Sequence, residues 1–477
     1  MQISNKRFNI TAVMLIMATS LLATFAYSHE HSNDEQTFEK LKAFVNKQMA
    51  EHAVPGVAIG VYHKGKFSTA SFGITNVDHP QRVTDDTLFQ IGSITKTMTG
   101  TIMMRLVEQG KLDLDAPVRQ YLPSFKVKDE TVSASVKVRD LLTHMSGWVG
   151  DYFSDTGSGD DALNIIVAEM AELEQLAPMN TIYSYNNSAF YVAALIIERV
   201  TDDTLTNVME SMIFNDLGLE NSFIQPTDVM TESYVVGHNA SANGLSVAKP
   251  WALFKAAWAV GGGIMTAGDM LKYAAFHLGD GTNSDGKQLL KKSSLEAMQA
   301  IQAKKIGNDS IGVTWHLSKA GNEKTIAHGG STNGQQAYLL MLPERDFAIT
   351  ILSNAGSGYA LHNKVNAFAL EEYFDLKNAP AKSQALSQDD LAEYEGHYRR
   401  PFIDMKITAS EGRLLMQTVP KQAFLGDKIA PPPPPVVFSF FEKDRVISED
   451  GNRKAEFIRL EDGSIGWFRS SRIYIKQ

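Results

Sequence analysis

One stretch decides the fold of this chain: Gly92-Ser93-Ile94-Thr95-Lys96-Thr97-Met98-Thr99. A serine and a lysine lie three positions apart at the predicted start of a helix. The apolar residues that follow lie on one face of a 3.6-residue period, and Gly110 is placed to end the helix. Positions i and i+3 share a helix face, so the Lys96 amine can reach the Ser93 hydroxyl. The residues of the apolar face are Ile94, Met98, Ile102, Met103, Leu106 and Val107.

This pairing is typical of nucleophilic catalysis. A serine is a weak nucleophile until a neighbouring base takes its proton, and a lysine with a lowered pKa can be that base. The positive end of the helix dipole favours an alkoxide on Ser93 and disfavours the ammonium form of Lys96. The motif alone is not specific, because it recurs at 284–287 in a turn-forming run and at 246–249 directly before Pro250. Both of those contexts predict loops.

Composition sets the broad class of protein. The chain has 477 residues, of which 44% are hydrophobic, and this predicts a globular protein of more than one domain. It carries 45 Lys and Arg against 54 Asp and Glu, a formal charge of −9. No basic stripe stands out, so we expect no nucleic-acid partner.

The N-terminus predicts export. Lys6 and Arg7 precede an apolar run over 10–25, and Ala26-Tyr27-Ser28 offers small residues for cleavage after Ser28. Residues 1–28 are therefore interpreted as a signal peptide. The alternative is an uncleaved anchor, for which the apolar run is short. The absence of cysteine excludes disulfides and a lipid-modified cysteine. We expect a periplasmic or secreted bacterial protein with no stable membrane anchor after cleavage.

The pattern of elements predicts an α/β domain over 29–378. Two strands at 57–62 and 67–72 form a hairpin, and loops and helices fill 112–250. Strands then follow at 311–315, 325–327, 336–342 and 347–352, with a closing helix at 361–373. The predicted fold is an antiparallel sheet flanked by helices and interrupted by an all-helical insertion. Within that insertion we predict helices at 138–142, 161–176 and 188–200.

The C-terminal part changes character. Residues 379–389 are polar and predict a linker. Residues 390–477 alternate short strands with turns, which predicts a small all-β barrel. The expected strands lie at 407–416, 437–441, 455–460 and 465–468, and Asp-Gly pairs at 450–451 and 462–463 mark hairpin turns.

Two further motifs carry polar chemistry. Tyr185-Asn186-Asn187 precedes an apolar helix, where the phenol and the second amide can project into one cleft. A lysine close to Tyr185 would favour its phenolate, which could take the serine's proton or return one to the leaving group. His328-Gly329-Gly330-Ser331 follows an extended segment, and its glycines allow close backbone approach. The amides of Ser331 and Ser93 would together form an oxyanion hole.

These three motifs, in this order, resemble the serine β-lactamase and penicillin-binding protein superfamily on its class C branch. The phrases at 141–147 and 262–266 match as well, and the resemblance covers about residues 35–375. It implies that Ser93 is the nucleophile and Lys96 its base or the partner of the base. It also implies that Tyr185 is a proton shuttle and that Asn187 contacts the substrate amide. His328, Gly330 and Ser331 would line the substrate site.

The resemblance has consequences for cofactors and for the tail. It implies no metal and no organic cofactor, and a small-molecule or peptide substrate. The phrases at 394–398 and 440–446 resemble the lipocalin-like domain that is often appended to such hydrolases. Such a domain can cover the cleft, mediate assembly or only stabilise the fold, and these alternatives stay open, as does the oligomeric state.

One residue departs from the family pattern. Many relatives carry Lys-Thr-Gly where this chain has His328-Gly329-Gly330. That lysine holds a fixed positive charge near a substrate carboxylate, whereas a histidine with an ordinary pKa is mostly neutral at pH 7. We therefore expect esters or peptides that lack this carboxylate to be better substrates than β-lactams. The resemblance agrees, because D-aminopeptidase-like and esterase-like members carry histidine there.

The sequence predicts a serine hydrolase acting through an acyl-enzyme on Ser93. The alternative is a catalytically silent protein of the same fold that binds penicillin or peptidoglycan, or serves as a scaffold. A lipase-like triad is disfavoured, because Ser93 does not lie in a Gly-x-Ser-x-Gly elbow. Whether Lys96 or Tyr185 is the base stays open, as does the choice between hydrolysis and acyl transfer.

Overall fold

The computed structural model describes residues 33–241, 244–377, 383–421, 429 and 431–477. The predicted signal peptide lies outside these residues, as does part of the predicted linker. The domain boundaries proposed from the sequence stay predictions. Within the described residues, no helix is long and apolar enough to cross a membrane.

The centre of the larger part is an eight-stranded antiparallel sheet in the order β2-β1-β13-β12-β11-β10-β9-β8. The predicted hairpin is confirmed as the first two strands, with β1 at Gly56–His63 and β2 at Lys66–Gly73. All eight residues of β1 are buried, because helices cover both faces of the sheet. The other six strands are β8 (Ala303–Lys304), β9 (Ser310–Ile311), β10 (His316–Ala320), β11 (Glu323–Thr332), β12 (Gln335–Leu342) and β13 (Phe347–Ser353). Two smaller sheets are formed by β3 (Phe89–Gln90), β4 (Ser222–Phe223) and β7 (Ile264–Met265), and by β5 (His238–Ser241) and β6 (Gly244–Val247).

Helices form a layer on each face of the sheet. On one face pack the N-terminal helix α1, residues 33–51, and the closing helix α11, Gly358–Phe374. On the other face lie α9, Ala267–Leu278, and the helical insertion. This arrangement confirms the predicted fold class. The other helices are α2 (Thr95–Glu108), α3 (Glu130–Ser135), α4 (Val138–Leu142), α5 (Ala162–Glu169), α6 (Ser188–Thr201), α7 (Leu205–Met209), α8 (Trp258–Gly261) and α10 (Lys292–Met298).

Helix α2 runs through the middle of the hydrophobic core. Its apolar face is buried, as the period predicts, except for the half-buried Val107, and its threonines Thr95, Thr97, Thr99 and Thr101 are buried too. All four donate their hydroxyl hydrogen to a carbonyl three or four residues earlier in the chain, which satisfies them without water. The helix that carries the serine and lysine is therefore a central element and not a surface helix.

The C-terminal part is a closed eight-stranded antiparallel barrel with its own aromatic core. A short helix, α12 (Gln388–Ala392), precedes it and begins at Ser387, whose hydroxyl accepts from the Asp390 backbone amide. The barrel strands are β14 (Gly396–Arg399), β15 (Ile403–Ser410), β16 (Arg413–Pro420), β17 (Val436–Glu442), β18 (Arg445–Ser448), β19 (Lys454–Arg459), β20 (Ile465–Arg469) and β21 (Ile473–Lys476).

Three predicted elements differ from the structure. The helix expected at 161–176 ends at Glu169 and continues only as a 3-10 turn to Glu172. The strand expected at 311–315 stops at Ile311, because the chain turns at Thr314, which has a φ of 67°. The strand expected at 407–416 is a hairpin, because Glu411 and Gly412 both adopt positive φ. A residue with positive φ turns the backbone and so ends a strand, even where the apolar residues continue beyond it.

The barrel packs directly against the larger domain. Ile473 of β21 is fully buried in the main core, and Trp467 of β20 donates its indole N–H to the Leu176 carbonyl at 3.0 Å. Lys454 of β19 lies 3.9 Å from Asp309 across the junction. These contacts fix the β20–β21 turn, residues 470–472, against the segment that carries Tyr185 and Asn187.

Candidate active site

The serine and lysine meet where a 3-10 turn at Gly92–Ile94 leads into α2. Lys96 Nζ lies 3.0 Å from Ser93 Oγ, within hydrogen-bond distance. The amine also donates to the Val260 carbonyl at 2.6 Å. Within the stretch 91–100 every residue except Ser93 is buried. The Ser93 hydroxyl is therefore accessible from the cleft, whereas the Lys96 amine that contacts it is buried away from water.

Burial determines the charge of Lys96. Its pKa lies well below the ordinary lysine value, first because burial disfavours the ammonium form and then because the Arg472 guanidinium is nearby. The amine lies 5.3 Å from the centroid of the Tyr185 ring and 5.6 Å from that of Phe190. These neighbours are two aromatic rings and one backbone carbonyl, and this burial favours the uncharged amine, the form that can accept a proton.

Tyr185 lies close to Ser93 and Lys96, as predicted, but its protonation state differs from the prediction. Burial raises the pKa of the Tyr185 phenol to about 12, although Ser93 and the Arg472 guanidinium act in the opposite direction. The expected phenolate is therefore wrong, because burial disfavours the charged form of the phenol. The phenol lies close enough to the Ser93 hydroxyl for that contact to lower its pKa, so Tyr185 can exchange a proton with Ser93 or with a molecule bound to it.

His328 and Gly330 lie within β11 and not after it. The sequence placed these residues at the end of an extended segment, but the strand continues to Thr332. A Cβ on Gly330 would lie 1.8 Å from the Ile91 carbonyl oxygen, and one on Gly92 would lie 2.6 Å from the Ser331 amide nitrogen. Both glycines are therefore required for close approach, and they bring the amide region of Ser331 beside that of Ser93.

His328 is neutral, as the sequence predicts, but the main cause is its burial and not the ordinary pKa of a histidine. Burial, followed by the nearby Lys96, lowers the pKa of His328 to about 3. Its Nδ1–H donates to the Gly329 carbonyl at 2.6 Å, which leaves Nε2 as a bare acceptor. The ring centroid lies 6.3 Å from that of Tyr185. His328 therefore presents a lone pair and not a positive charge to the site.

Asn187 lies on the same segment but is turned toward the barrel side. Its amide Nδ2 donates to Asp151 Oδ1 at 2.8 Å. Asp151 is buried and pairs with Arg472 of the barrel, whose Nη2 donates to Oδ1 at 2.9 Å. Arg472 also lies over the Tyr185 ring, 4.9 Å from its centroid. The structure thus brings all the predicted site residues to one crevice, and it adds two that the sequence did not single out.

The barrel contributes main-chain contacts as well. The Tyr185 amide donates to the Ser471 carbonyl at 2.9 Å, and the Ile473 amide donates to the Ser184 hydroxyl at 3.3 Å. A cavity at the domain junction is lined from both sides, with Tyr185 and Asp151 facing Arg400, Phe402 and Arg472. These contacts come from residues far apart in the chain, so no local sequence signal pointed to them.

A layer of basic side chains behind Tyr185 was also missed. The His144 ring stacks on Tyr185 at 4.3 Å, and His316 stacks on His328 at 4.8 Å. Lys305 Nζ lies 3.0 Å from His316 Nδ1, and burial lowers the pKa of this lysine to about 8. His144 Nδ1 accepts from the Asn186 amide, so its Nε2 carries the hydrogen and is a donor.

The described residues offer no metal site. No group of three or more His, Cys, Asp or Glu side chains in the described part of the chain is placed to hold a metal ion. The polar groups of the crevice are a hydroxyl, a buried amine, a phenol and two adjacent backbone amides.

An antiparallel sheet with a helical insertion, and a serine and lysine where helix α2 begins, is the arrangement of a serine hydrolase-type fold. Comparison with known families agrees. The family model described as Beta-lactamase matches residues 41–373, and the chain belongs to this family.

Two curated relatives illustrate the likeness in sequence. Penicillin-binding protein 4 of Amycolatopsis lactamdurans is 30% identical over 334 residues, covering 69% of this chain and 86% of that protein. Protein flp of Staphylococcus aureus strain COL is 22% identical over 333 residues, covering 69% of this chain and 65% of its own length.

Three solved structures share the fold. A crystal structure of SurE covers 93% of this chain and all of its own, with a TM-score of 0.74 at 23% identity. The octameric penicillin-binding protein homologue from Pyrococcus abyssi covers 92% of this chain and all of its own, with a TM-score of 0.62 at 21% identity. The class C β-lactamase from Rhodobacter sphaeroides covers 70% of this chain and 98% of its own, with a TM-score of 0.59 at 24% identity.

The burial of several histidines predicts that the stability of the protein depends on pH. The pKa values of the five residues named below are all lowered by burial. An unfolded histidine titrates near about 6.5, so below that pH the unfolded state binds protons that the folded state does not. Stability is then full above about pH 6.5 and falls as the pH drops. The residues are His144, His277, His316, His328 and His362.

Calorimetry between pH 7.5 and 5 checks this expectation. Tm should fall steadily as the pH decreases. His277→Gln removes one titrating group outside the crevice, whose pKa of about 3 reflects burial, and should flatten the slope. A Tm that is constant over this range, or a slope that the variant leaves unchanged, would contradict the prediction.

Proposed function

We propose that this protein is an exported serine hydrolase that cleaves an ester or amide through an acyl-enzyme on Ser93. The observation that carries the proposal is the buried Lys96 amine, whose pKa burial lowers, 3.0 Å from the Ser93 hydroxyl oxygen. Such an amine is a base held at the distance that proton transfer requires. Family membership supports the reaction class, and the residues 1–28 support export.

Each residue of the site has its own role in acylation. As Ser93 Oγ bonds to the carbonyl carbon, its proton passes to the lone pair of Lys96 Nζ, and the carbonyl electrons move to oxygen. The amides of Ser93 and Ser331 stabilise that oxyanion. When the bond to the leaving group breaks, Tyr185 donates its proton to the departing oxygen or nitrogen. The Lys96 ammonium then returns a proton to Tyr185, and water hydrolyses the acyl-enzyme by the reverse transfers.

The protonation states favour Lys96 as the base. A phenol with a pKa of about 12 is protonated at neutral pH, so Tyr185 is suited to give a proton and not to take the first one. Lys96 is suited to take it, because burial removes the charge that would block its lone pair.

The charge of the crevice supports a preference among substrates. His328 is uncharged at any pH above about 3, so it supplies no fixed cation for a β-lactam carboxylate. Arg472, the cation nearest to Tyr185, is already paired with Asp151. We therefore infer that activated esters and peptides, including D-amino-acid peptides, are better substrates than cephalosporins.

A probe experiment tests the proposal. A fluorophosphonate should label wild-type protein at Ser93 and leave Ser93→Ala unlabelled. A p-nitrophenyl ester should be turned over with a kcat/KM at least about tenfold above that for nitrocefin. Equal hydrolysis of the two substrates would overturn the substrate preference. An acyl group that stays on Ser93 without release would instead support the binding-protein alternative.

A further inference from the structure

The Asp151 carboxylate joins both domains at the crevice. It accepts from the Asn187 amide at 2.8 Å on the catalytic side. On the barrel side it faces two arginines. Arg472 approaches with Nη2 at 2.9 Å from Oδ1 and Nε at 2.5 Å from Oδ2, and Arg400 Nη2 lies 3.6 Å from Oδ2. One buried carboxylate therefore holds one amide from its own domain and two cations from the barrel.

These cations keep Asp151 ionised. Burial by itself would raise the pKa of the carboxyl, but Arg472 and then Arg400 outweigh it and hold the pKa below its ordinary value. An ionised carboxylate accepts hydrogen bonds and donates none. The end of the Asn187 amide that faces it must therefore be the NH2 group, since the amide oxygen there would meet a negative charge.

This orientation also determines that the side-chain oxygen of Asn187 lies at the end of the amide that faces away from Asp151. The Asn187 side-chain oxygen accepts no hydrogen bond from the residues that the structure describes, and it is not sealed from solvent. It extends from the same segment as Tyr185, which faces the catalytic amine. Water can satisfy an acceptor that reaches solvent, and a bound molecule that displaces this water must supply a donor of its own to avoid a loss of affinity.

We propose that Asp151 is a positioning residue, clamped by the barrel arginine Arg472, that turns the amide oxygen of Asn187 toward the substrate and so selects an acyl group bearing an N–H. The inference rests on the proposed function and refines it: the preferred acyl donor is an N-acylamino acid or peptide, and not its oxygen analogue. It also gives the barrel a part in substrate selection.

A matched pair of substrates tests the orientation. An N-acetyl-D-alanyl thioester carries an N–H, whereas the acetyl-D-lactyl thioester has an ester oxygen at the same place. In the wild type, kcat/KM should favour the alanyl compound by at least about tenfold, because the lactyl oxygen would face the Asn187 oxygen. Asp151→Asn can accept or donate, so it releases the Asn187 amide and should bring the ratio close to one.

Variants of the barrel arginine separate positioning from folding. Arg472→Met should reduce the ratio as Asp151→Asn does, whereas Arg472→Lys keeps a cation beside Asp151 and should preserve most of it. Arg399→Met is the matched control, because Arg399 bridges the same domains through Glu174 at 3.5 Å but is 40% exposed. A role in stability alone would lower kcat/KM for both thioesters equally and leave their ratio unchanged.

The outcomes distinguish this inference from the proposed function. Fluorophosphonate labelling of Ser93 in the wild type, together with an alanyl-to-lactyl ratio that Asp151→Asn does not change, would overturn the inference and leave the function intact. A wild type that is not labelled would overturn the function itself. Labelled wild type with a collapsed ratio in Asp151→Asn and a preserved ratio in Arg472→Lys would support both.

Discussion

Lys96→Met is expected to slow the acylation of Ser93 by about 10²- to 10⁴-fold, the contribution typical of a general base. The replacement keeps an unbranched side chain of similar length in a fully buried site, so the fold should persist. It removes the lone pair that lies 3.0 Å from the serine hydroxyl. The measurement is the rate of fluorophosphonate labelling at pH 7.5, with intact mass spectrometry to locate the label.

The matched control for this variant is Lys319→Met. Lys319 lies on β10 and is exposed, so its loss should leave the labelling rate unchanged. A Lys96→Met protein that is folded by circular dichroism and labels within about threefold of the wild type would contradict a lysine base. That result would indicate that another group, such as a histidine of the layer behind Tyr185, takes the proton.

Gly330→Ala is expected to lower kcat/KM by at least about 100-fold, the cost typical of a displacement near 1 Å at a reacting centre. The new methyl group would lie 1.8 Å from the Ile91 carbonyl oxygen and 3.0 Å from the Ser93 amide nitrogen. Strand β11 and the Ser93 turn must therefore move apart, and the Ser331 amide moves with the strand. Overpacking of this kind also lowers the free energy of unfolding, by about 1–3 kcal/mol.

The neighbouring glycine provides the control. A Cβ on Gly329 would meet nothing closer than 3.8 Å, so Gly329→Ala should retain activity within about threefold and nearly the same Tm. The comparison uses ester hydrolysis for activity and thermal denaturation for stability. Equal behaviour of the two alanine variants would show that close approach at position 330 does not matter for the site.

The two predictions probe different properties of one crevice. Lys96→Met removes a chemical group and leaves the backbone in place, whereas Gly330→Ala keeps every reacting group and displaces the backbone that holds them. Loss of acylation in both would indicate that the uncharged amine and the adjacent amides of Ser93 and Ser331 are each required.

Much of the catalytic constellation could be read from the sequence because its parts are local. The three-residue spacing of Ser93 and Lys96 on a helix start brings their side chains together whatever surrounds them. Tyr185 and Asn187 precede a strongly apolar helix, and Gly330 follows closely after a predicted strand. The sheet with its helical insertion and the all-β tail also follow from hydrophobic periodicity. These expectations about family and fold class are confirmed.

Tertiary structure alone decided the charge states and the part played by the barrel. Burial lowers the pKa of Lys96 and raises the pKa of Tyr185 to about 12, and this burial depends on which distant segments cover the two side chains. The bond between Arg472 and Asp151 spans 321 positions of the chain. Such a pair forms only when the two domains of the chain pack together. Neither hydrophobic periodicity nor a local motif can indicate a contact between residues so far apart in the sequence.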